Sequence, residues 1–337
     1  MKAYQLQPGD GIAGLRRIGI HTPTPLPHQV LVRTRAAALN YRDLMFARGN
    51  YGGHGAAALV PLGDGAGDVV AVGAHVTRFK PGDRVIHAYF PGWADGAPTP
   101  AKTAASFGTH IDGTLAEAFV ADEAALAHMP AHMDYVQAAT LSCAGTTAWN
   151  ALFVAGRLKP GASVLLLGTG GVSVIALQLA RAAGLAAIVT SSSDEKLERA
   201  RELGAAGTIN YRATPEWQEE VLRLTGGRGV DLTVETGGEG TLARSIAATA
   251  MGGTVAVIGI TSGLGGAQID PISLIAGAKR LSGIFVGSRV MLEDLVRFTE
   301  AARIKPVVDR VFTFDQAAEA YTYVDQGRHF GKVVVTV

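Results

Sequence analysis

Cysteine is almost missing from this 337-residue chain. The single one, Cys143, excludes an intrachain disulfide and any all-cysteine metal cluster, which points to a reducing compartment and sets the cytoplasm as the expected location. Charge of one sign is lacking as well: 30 Lys and Arg stand against 29 Asp and Glu. No basic field is available for nucleic acid or an anionic membrane, so neither is expected as a partner. No stretch reaches the roughly 18 apolar residues that span a bilayer, and the opening MKAYQLQPGDG has no apolar core of signal-peptide length. Repeats are also absent, for the 43 glycines follow no fixed period, which removes collagen-like and solenoid architectures. What remains is an ordinary globular composition, 48% hydrophobic and 18% charged, in a chain long enough for two domains.

The pattern changes once along the chain. Up to about residue 123, short alternating runs such as Gln29-Val-Leu-Val-Arg-Thr34 are broken by turns such as Pro81-Gly82-Asp83, the mark of a β-rich domain. Residues 87–113 are rich in Pro and Gly without hydrophobic periodicity and read as a long surface excursion. After Pro130, apolar runs alternate with helical segments. Strands are expected at 164–167, 186–190, 208–210, 230–234, 254–258 and 281–286, with helices ending at 183 and 248 and lying over 194–203 and near 215–224. Six strands alternating with helices imply right-handed crossovers and a doubly wound parallel sheet, the dinucleotide-binding architecture. The tail ends in the alternating run Lys332-Val-Val-Val-Thr-Val337, which returns to the β-rich type. The expected division is therefore 1–125, 126–288 and 289–337, with the first and last parts forming one discontinuous domain.

A phosphate-binding turn stands where that architecture needs one. After the strand 164–167 come Gly168, Thr169, Gly170, Gly171, Val172 and Ser173, followed by an apolar helix. The first glycine permits the tight turn, the second lets backbone amides approach a pyrophosphate, and the helix start adds a favourable dipole. An NAD enzyme would carry an acidic residue at the end of the next strand, to hold the ribose hydroxyls. Here that strand ends in Thr190, Ser191, Ser192 and Ser193, with Lys196 beyond. Hydroxyls and an ammonium suit a 2′-phosphate, so NADPH is the expected cofactor. The structural alternative makes Ser192 and Glu195 a helix-capping box and leaves Lys196 in solvent; Asp194 could approach a ribose only in a shifted register.

Taken together with Ala38-Leu39-Asn40-Tyr41-Arg42-Asp43-Leu44, Leu141-Ser142-Cys143-Ala144-Gly145-Thr146-Thr147-Ala148-Trp149-Asn150 and the closing Gly331-Lys332-Val333, these features resemble the medium-chain dehydrogenase/reductase superfamily over essentially the whole length. Within it the resemblance is to the zinc-independent, quinone oxidoreductase-like branch. It implies a Rossmann domain, a GroES-like β-barrel catalytic domain, the nicotinamide in the cleft between them, and a homodimer joined through the last Rossmann strand. It also implies that Asn40 lies near the nicotinamide and the substrate oxygen, that Thr147 packs beside the nicotinamide ring, that Tyr211 approaches the adenosine phosphate end, that Gly259 contacts the cofactor, and that Lys332 reaches the pyrophosphate. Zinc-using members carry cysteine where Asn40 stands and Gly-His-Glu where this chain has Gly63, Asp64 and Gly65. Asp64 and Cys143 alone are too few for a catalytic zinc, so no metal is expected.

Candidate catalytic residues are then Asn40, Tyr41, Asp43 and Thr147. Asn40 and Asp43 fall three apart on an expected helical turn and could share one cleft, although Asp43 serves equally as a structural cap. Cys143, in a run of small residues, is expected as a buried small hydrophobe rather than a nucleophile. Tyr89, Phe90 and Trp93 either line a substrate entrance or anchor their loop. Removing hydride from an alcohol is costly without a Lewis acid, whereas an activated C=C bond or a quinone accepts it more readily. The expectation is NADPH-dependent reduction of small quinones or α,β-unsaturated carbonyls. The alternatives are an alcohol dehydrogenase with a remodelled Asp64/Cys143 site and an NADPH-binding protein without turnover.

Overall fold

A computed structural model describes residues 1–51, 57–263 and 265–337. The chain forms two compact units, one of Met1–Thr146 with Val286–Val337 and one of Thr147–Phe285. Among the described residues no helix is long and apolar enough to cross a membrane.

The first unit is β-rich. Its strands are β1 (Lys2–Gln5), β2 (Arg16–Gly19), β3 (Gln29–Leu39), β4 (Asp64–Val72), β5 (Arg84–His87), β6 (Ala118–Asp122) and β7 (Leu126–His128). The expected boundary at 126 gives way here, because β7 pairs with β5 and the first unit runs on to Thr146. In the second unit lie β8 (Ser163–Leu167), β9 (Ala186–Ser191), β10 (Gly207–Asn210), β11 (Val230–Glu235), β12 (Thr249–Val257) and β13 (Arg280–Gly283). The chain then returns to the first unit with β14 (Val308–Thr313) and β15 (Lys332–Thr336).

In the first unit β3 is the hub: it pairs antiparallel with β15, β4 and β6. Val30, Val32 and Thr34 point inward while Arg33 and Arg35 face solvent, after which every residue from Ala36 to Leu39 is buried. The strand thus changes from one covered face to two as it approaches Asn40. The returning segment supplies Phe312, Tyr321, Val333 and Val335 to a core with Tyr4, Ala37, Leu39 and Leu62. Without it that core would stay open, which is the physical reason the unit is discontinuous.

The second unit is one sheet of order β10-β9-β8-β11-β12-β13 with all neighbours parallel. Every residue of β8 is buried, as expected of a parallel strand covered on both faces. Full burial of each of its Val and Leu side chains contributes roughly 1.5–3 kcal/mol. The order reverses between β8 and β11, which puts the end of β8 at the topological switch point where such sheets bind ligands. Two strand expectations shift: β12 begins at Thr249, earlier than 254, and β13 ends at Gly283 rather than 286, the chain taking a left-handed conformation at Val286 (φ 53°).

Candidate functional site

In the second unit, Gly168 (φ 73°) makes the turn out of β8 and the helix Gly171–Ala182 begins at Gly170, which offers no side-chain cap. The first amides of that helix are therefore left for another acceptor. A Cβ built on Gly170 meets no heavy atom within 4 Å, and its φ of −78° is open to any residue. The fold itself does not ask for glycine there, and the space in front of the helix start is open. Ser173 Oγ donates to Leu167 O at 2.7 Å and locks the helix to the strand. Thr169 is buried, while Gly171 and Val172 are partly exposed. This cradle fits the pyrophosphate of a dinucleotide. Gly259 is packed differently, since a Cβ there would stand 2.4 Å from Thr236 O, so close packing against the loop after β11 already requires glycine at that position. Leu264, in the neighbouring loop expected to shape the pocket, lies outside the described residues.

At the end of β9 the capping register differs from the expected one. Ser193, not Ser192, caps the helix Asp194–Glu202, its Oγ accepting from Lys196 N at 3.3 Å. Ser191 Oγ accepts from Ser193 N at 3.3 Å, and Ser192 is partly exposed. Asp194 is held by Asn210, whose Nδ2 donates to Asp194 Oδ1 at 2.7 Å. Lys196 is half-buried and Tyr211 is exposed. Glu235, which sequence patterning did not single out, is fully buried at the end of β11. It accepts from Gly237 N (2.6 Å), Gly238 N (2.9 Å), Thr241 Oγ1 (2.6 Å) and Ser245 Oγ, fixing the loop beside the switch point.

The first unit holds a polar cluster assembled by strand register. Ala38 pairs with Asp64 across β3 and β4, and Leu39 pairs with Val333 across β3 and β15. One residue further, Asn40 and Lys332 face each other. Lys332 Nζ donates to Leu39 O at 2.6 Å and Asn40 Oδ1 at 2.6 Å, and lies 3.4 Å from Asp64 Oδ2. Asn40 Nδ2 in turn donates to Asp64 Oδ2 at 3.0 Å. With its side chain 2% exposed, Lys332 is committed to this cluster rather than turned toward the pyrophosphate as the resemblance implied, because β15 lies inside the sheet between β14 and β3 and the lysine stem is buried there.

Asp43 serves as a cap. Its Oδ2 accepts from Asn40 N at 2.8 Å and its Oδ1 pairs with Arg42 Nε at 3.1 Å, deep in the unit. Desolvation raises its carboxyl above the ordinary value, offset in part by the Arg42 charge. The candidate catalytic role passes to a structural one, holding Asn40 at the start of the helix Tyr41–Ala47. Arg42 is buried: it donates to Thr109 Oγ1 and to Phe107 O (2.6 Å) and lies 4.9 Å over the Tyr89 ring. The 87–113 stretch, expected as a surface excursion, is thus pinned from inside. Tyr89, Phe90 and Trp93 are buried against Cys143, Val286 and Met291 and anchor their loop. Tyr89 also shares a hydrogen bond of 3.2 Å with the Tyr51 hydroxyl. Tyr41 is exposed and Thr147 is buried.

Burial, and next the Asp64 charge, push the Cys143 thiol up to about 12. Such a thiol is not an activated nucleophile. Gly65 stands where a second carboxylate would be, because a Cβ there would meet Thr114 Cγ2 at 2.6 Å. Among the described residues no group of three or more His, Cys, Asp or Glu is arranged to hold a metal ion. His128 and His132, four apart in sequence, share no helix turn: His128 ends β7 and His132 Nε2 donates to Ile304 O at 2.7 Å. The set at Asn40, Asp64 and Cys143, with an ammonium already among its oxygens, does not fit a catalytic zinc.

Two family models match the chain, the alcohol dehydrogenase GroES-like domain over residues 26–131 and the zinc-binding dehydrogenase domain over 171–301. A zinc-type alcohol dehydrogenase-like protein of Schizosaccharomyces pombe is 45% identical over 92% of this chain and 91% of its own length. A quinone oxidoreductase of Pseudomonas aeruginosa is 31% identical, covering 92% of each. Among solved structures, an NAD-dependent alcohol dehydrogenase is 35% identical with a TM-score of 0.91, covering 100% of both chains.

Proposed function

Because the chain belongs to the medium-chain dehydrogenase/reductase superfamily, we propose that it is an NADPH-dependent oxidoreductase that reduces quinones or the activated C=C bond of α,β-unsaturated carbonyls. The carrying observation is the Asn40–Asp64–Lys332 cluster. It presents hydrogen-bond donors and no metal-ligand set, a chemistry suited to an oxygen that gains negative charge rather than to deprotonating an alcohol. NADPH, when bound, supplies a hydride to the β-carbon of the enone or to the quinone, and a solvent proton completes the reduction. Of the two Asn40 Nδ2 hydrogens, one is given to Asp64 and the second is the proposed donor to the developing enolate oxygen. Asp43 keeps that amide in place by accepting the Asn40 backbone N–H. Exposed Tyr41 is the alternative proton source to solvent.

The test is NADPH consumption by purified protein with a panel of enones and quinones, run beside NADP⁺ reduction with primary alcohols. Enone or quinone turnover that survives a strong chelator is expected. Fast alcohol oxidation with no enone or quinone turnover would instead promote alcohol dehydrogenation, the second reading, which the names of two relatives favour. No consumption with any acceptor would leave a cofactor-binding protein.

The preference for NADPH rests on the strand end at Ser191 and Ser192, with Lys196 on the following helix. Lys196→Asp is expected to shift relative affinity toward NADH by about tenfold or more, since the new carboxylate repels a 2′-phosphate. Equal affinity ratios in mutant and parent would remove Lys196 from that role.

A homodimer through the outer edge of β13 accompanies this reading. β13 ends the sheet, and close to it in the chain Ile272, Ile275 and Phe285 are exposed, Ile275 by 77%. An uncovered parallel edge beside apolar side chains is a pairing surface for a second copy. Light scattering is expected to give twice the chain mass of 34.9 kDa; a monomer at micromolar concentration would refute the pairing.

A further inference from the structure

Three oxygens converge on one point of positive charge in the first unit: Leu39 O at 2.6 Å, Asn40 Oδ1 at 2.6 Å and Asp64 Oδ2 at 3.4 Å from Lys332 Nζ. A carbonyl, an amide oxygen and a carboxylate form a donor set that a hard cation takes. Asp64 is wholly buried, and its Oδ1 has no hydrogen-bond partner. We propose that Lys332 is an internal cation that fills this cage in the place of a metal ion and, by its sign, sets the orientation in which Asn40 presents its amide.

The orientation follows from donor chemistry. An ammonium only donates and a carboxylate only accepts, whereas the two ends of an asparagine amide have nearly equal shape and opposite polarity. With Lys332 on one side and Asp64 on the other, Oδ1 must face Nζ and Nδ2 must face the carboxylate, as observed. The reversed amide would set N–H against ammonium and oxygen against carboxylate, losing two charge-assisted bonds at once. A divalent cation brought to the same oxygens would meet the ammonium at bonding distance in a buried setting, where repulsion is poorly screened. Lys332 is therefore a positioning residue that acts through Asn40. Its kinetic consequence rests on the reading of Asn40 as the donor to substrate; its occupation of the cage does not.

The experiment compares wild type, Lys332→Ala and Lys332→Ala/Asp64→Asn as full chains. After dialysis against calcium, elemental analysis is expected to find about one calcium per chain in Lys332→Ala and several-fold less in the other two. In the enone assay, Lys332→Ala is expected to lose about 10- to 100-fold in kcat with KM for NADPH held. Ethylammonium, which restores a cation of the same chemistry, should recover much of that loss, and Lys332→Arg should retain more activity than Lys332→Ala. Calcium uptake or ethylammonium recovery confined to Lys332→Ala supports the proposal. Neither effect, or calcium uptake by wild type equal to that of Lys332→Ala, overturns it.

Should Lys332→Ala fail to fold, Lys332→Met/Asp64→Asn supplies a neutral cage of similar volume. The proposal then requires that kcat fall by the same factor with KM for NADPH unchanged, and an unaltered kcat would overturn it. Calcium uptake is read without turnover, and the wild-type enone rate reports the proposed activity separately, so failure of one is distinguishable from failure of the other.

Discussion

Gly170→Val is expected to fold as the parent does and to lose NADPH binding. The backbone at Gly170, φ −78° and ψ −176°, is ordinary extended conformation, and an added Cβ has no heavy atom within 4 Å. The backbone and the Cβ position there accept a valine, so the melting temperature is expected to move by no more than about 2 °C. What the isopropyl group occupies is the open space before the helix Gly171–Ala182, whose first amides lack a side-chain cap. A phosphate bound there is stabilised by those N–H groups together with the helix dipole, and it must approach the backbone closely to receive them. Holding it an ångström or two further away forfeits most of that interaction, and Kd for NADPH should rise by about 100-fold or more, some 2.7 kcal/mol. Gly168 is unsuitable for this test, because its φ of 73° makes any substitution strained in itself. Normal fluorescence titration of the folded mutant would place the phosphate turn elsewhere.

Asn40→Ala is expected to lower kcat for enone reduction by about 10²–10³-fold while leaving KM for NADPH close to that of the parent. Loss of a single preorganised donor to a developing oxyanion has this size, because the donor acts on charge that exists only in the transition state. Some stability should go with it. The Asn40 side chain accepts from Lys332 and donates to Asp64, and its removal leaves both with fewer partners in a buried setting, at a cost of about 1–3 kcal/mol by equilibrium denaturation. The two effects separate by temperature: assays well below the melting midpoint report the chemical step alone. Full kcat in a folded Asn40→Ala protein would assign the oxygen-binding role to another group.

Much of the second unit was legible because its determinants are local. The run Val164–Leu167 followed at once by Gly168, Gly170 and an apolar helix needs no distant residue to declare a strand, a turn and a helix start. Caps were less legible. Three serines in a row, Ser191 to Ser193, offer nearly equal capping chemistry, and the choice of Ser193 depends on where β9 stops being paired by β8 and β10. The 87–113 stretch, without periodicity, offered no sign that Tyr89, Phe90, Trp93 and Phe107 would all be buried. Their burial depends on Arg42, at least 45 positions earlier, whose guanidinium satisfies Phe107 O and Thr109 Oγ1 inside the unit.

By itself the sequence determined the architecture of each unit, the glycine turn after β8 and the departure of Asn40 and Asp64 from the ligand set of zinc-using relatives, since these follow from side-chain chemistry and short-range spacing. Only the tertiary structure decided what stands in that set's place. Lys332 lies 292 positions from Asn40, and nothing within a few residues of either announces the other. They meet because the returning strand β15 pairs with β3 in the register that opposes Val333 to Leu39, while β4 brings Asp64 opposite Ala38. A slip of one residue in either ladder would turn these side chains to the opposite face. The packing of Phe312, Tyr321, Val333 and Val335 into the first unit's core holds that register, and with it the buried ammonium among its three oxygens.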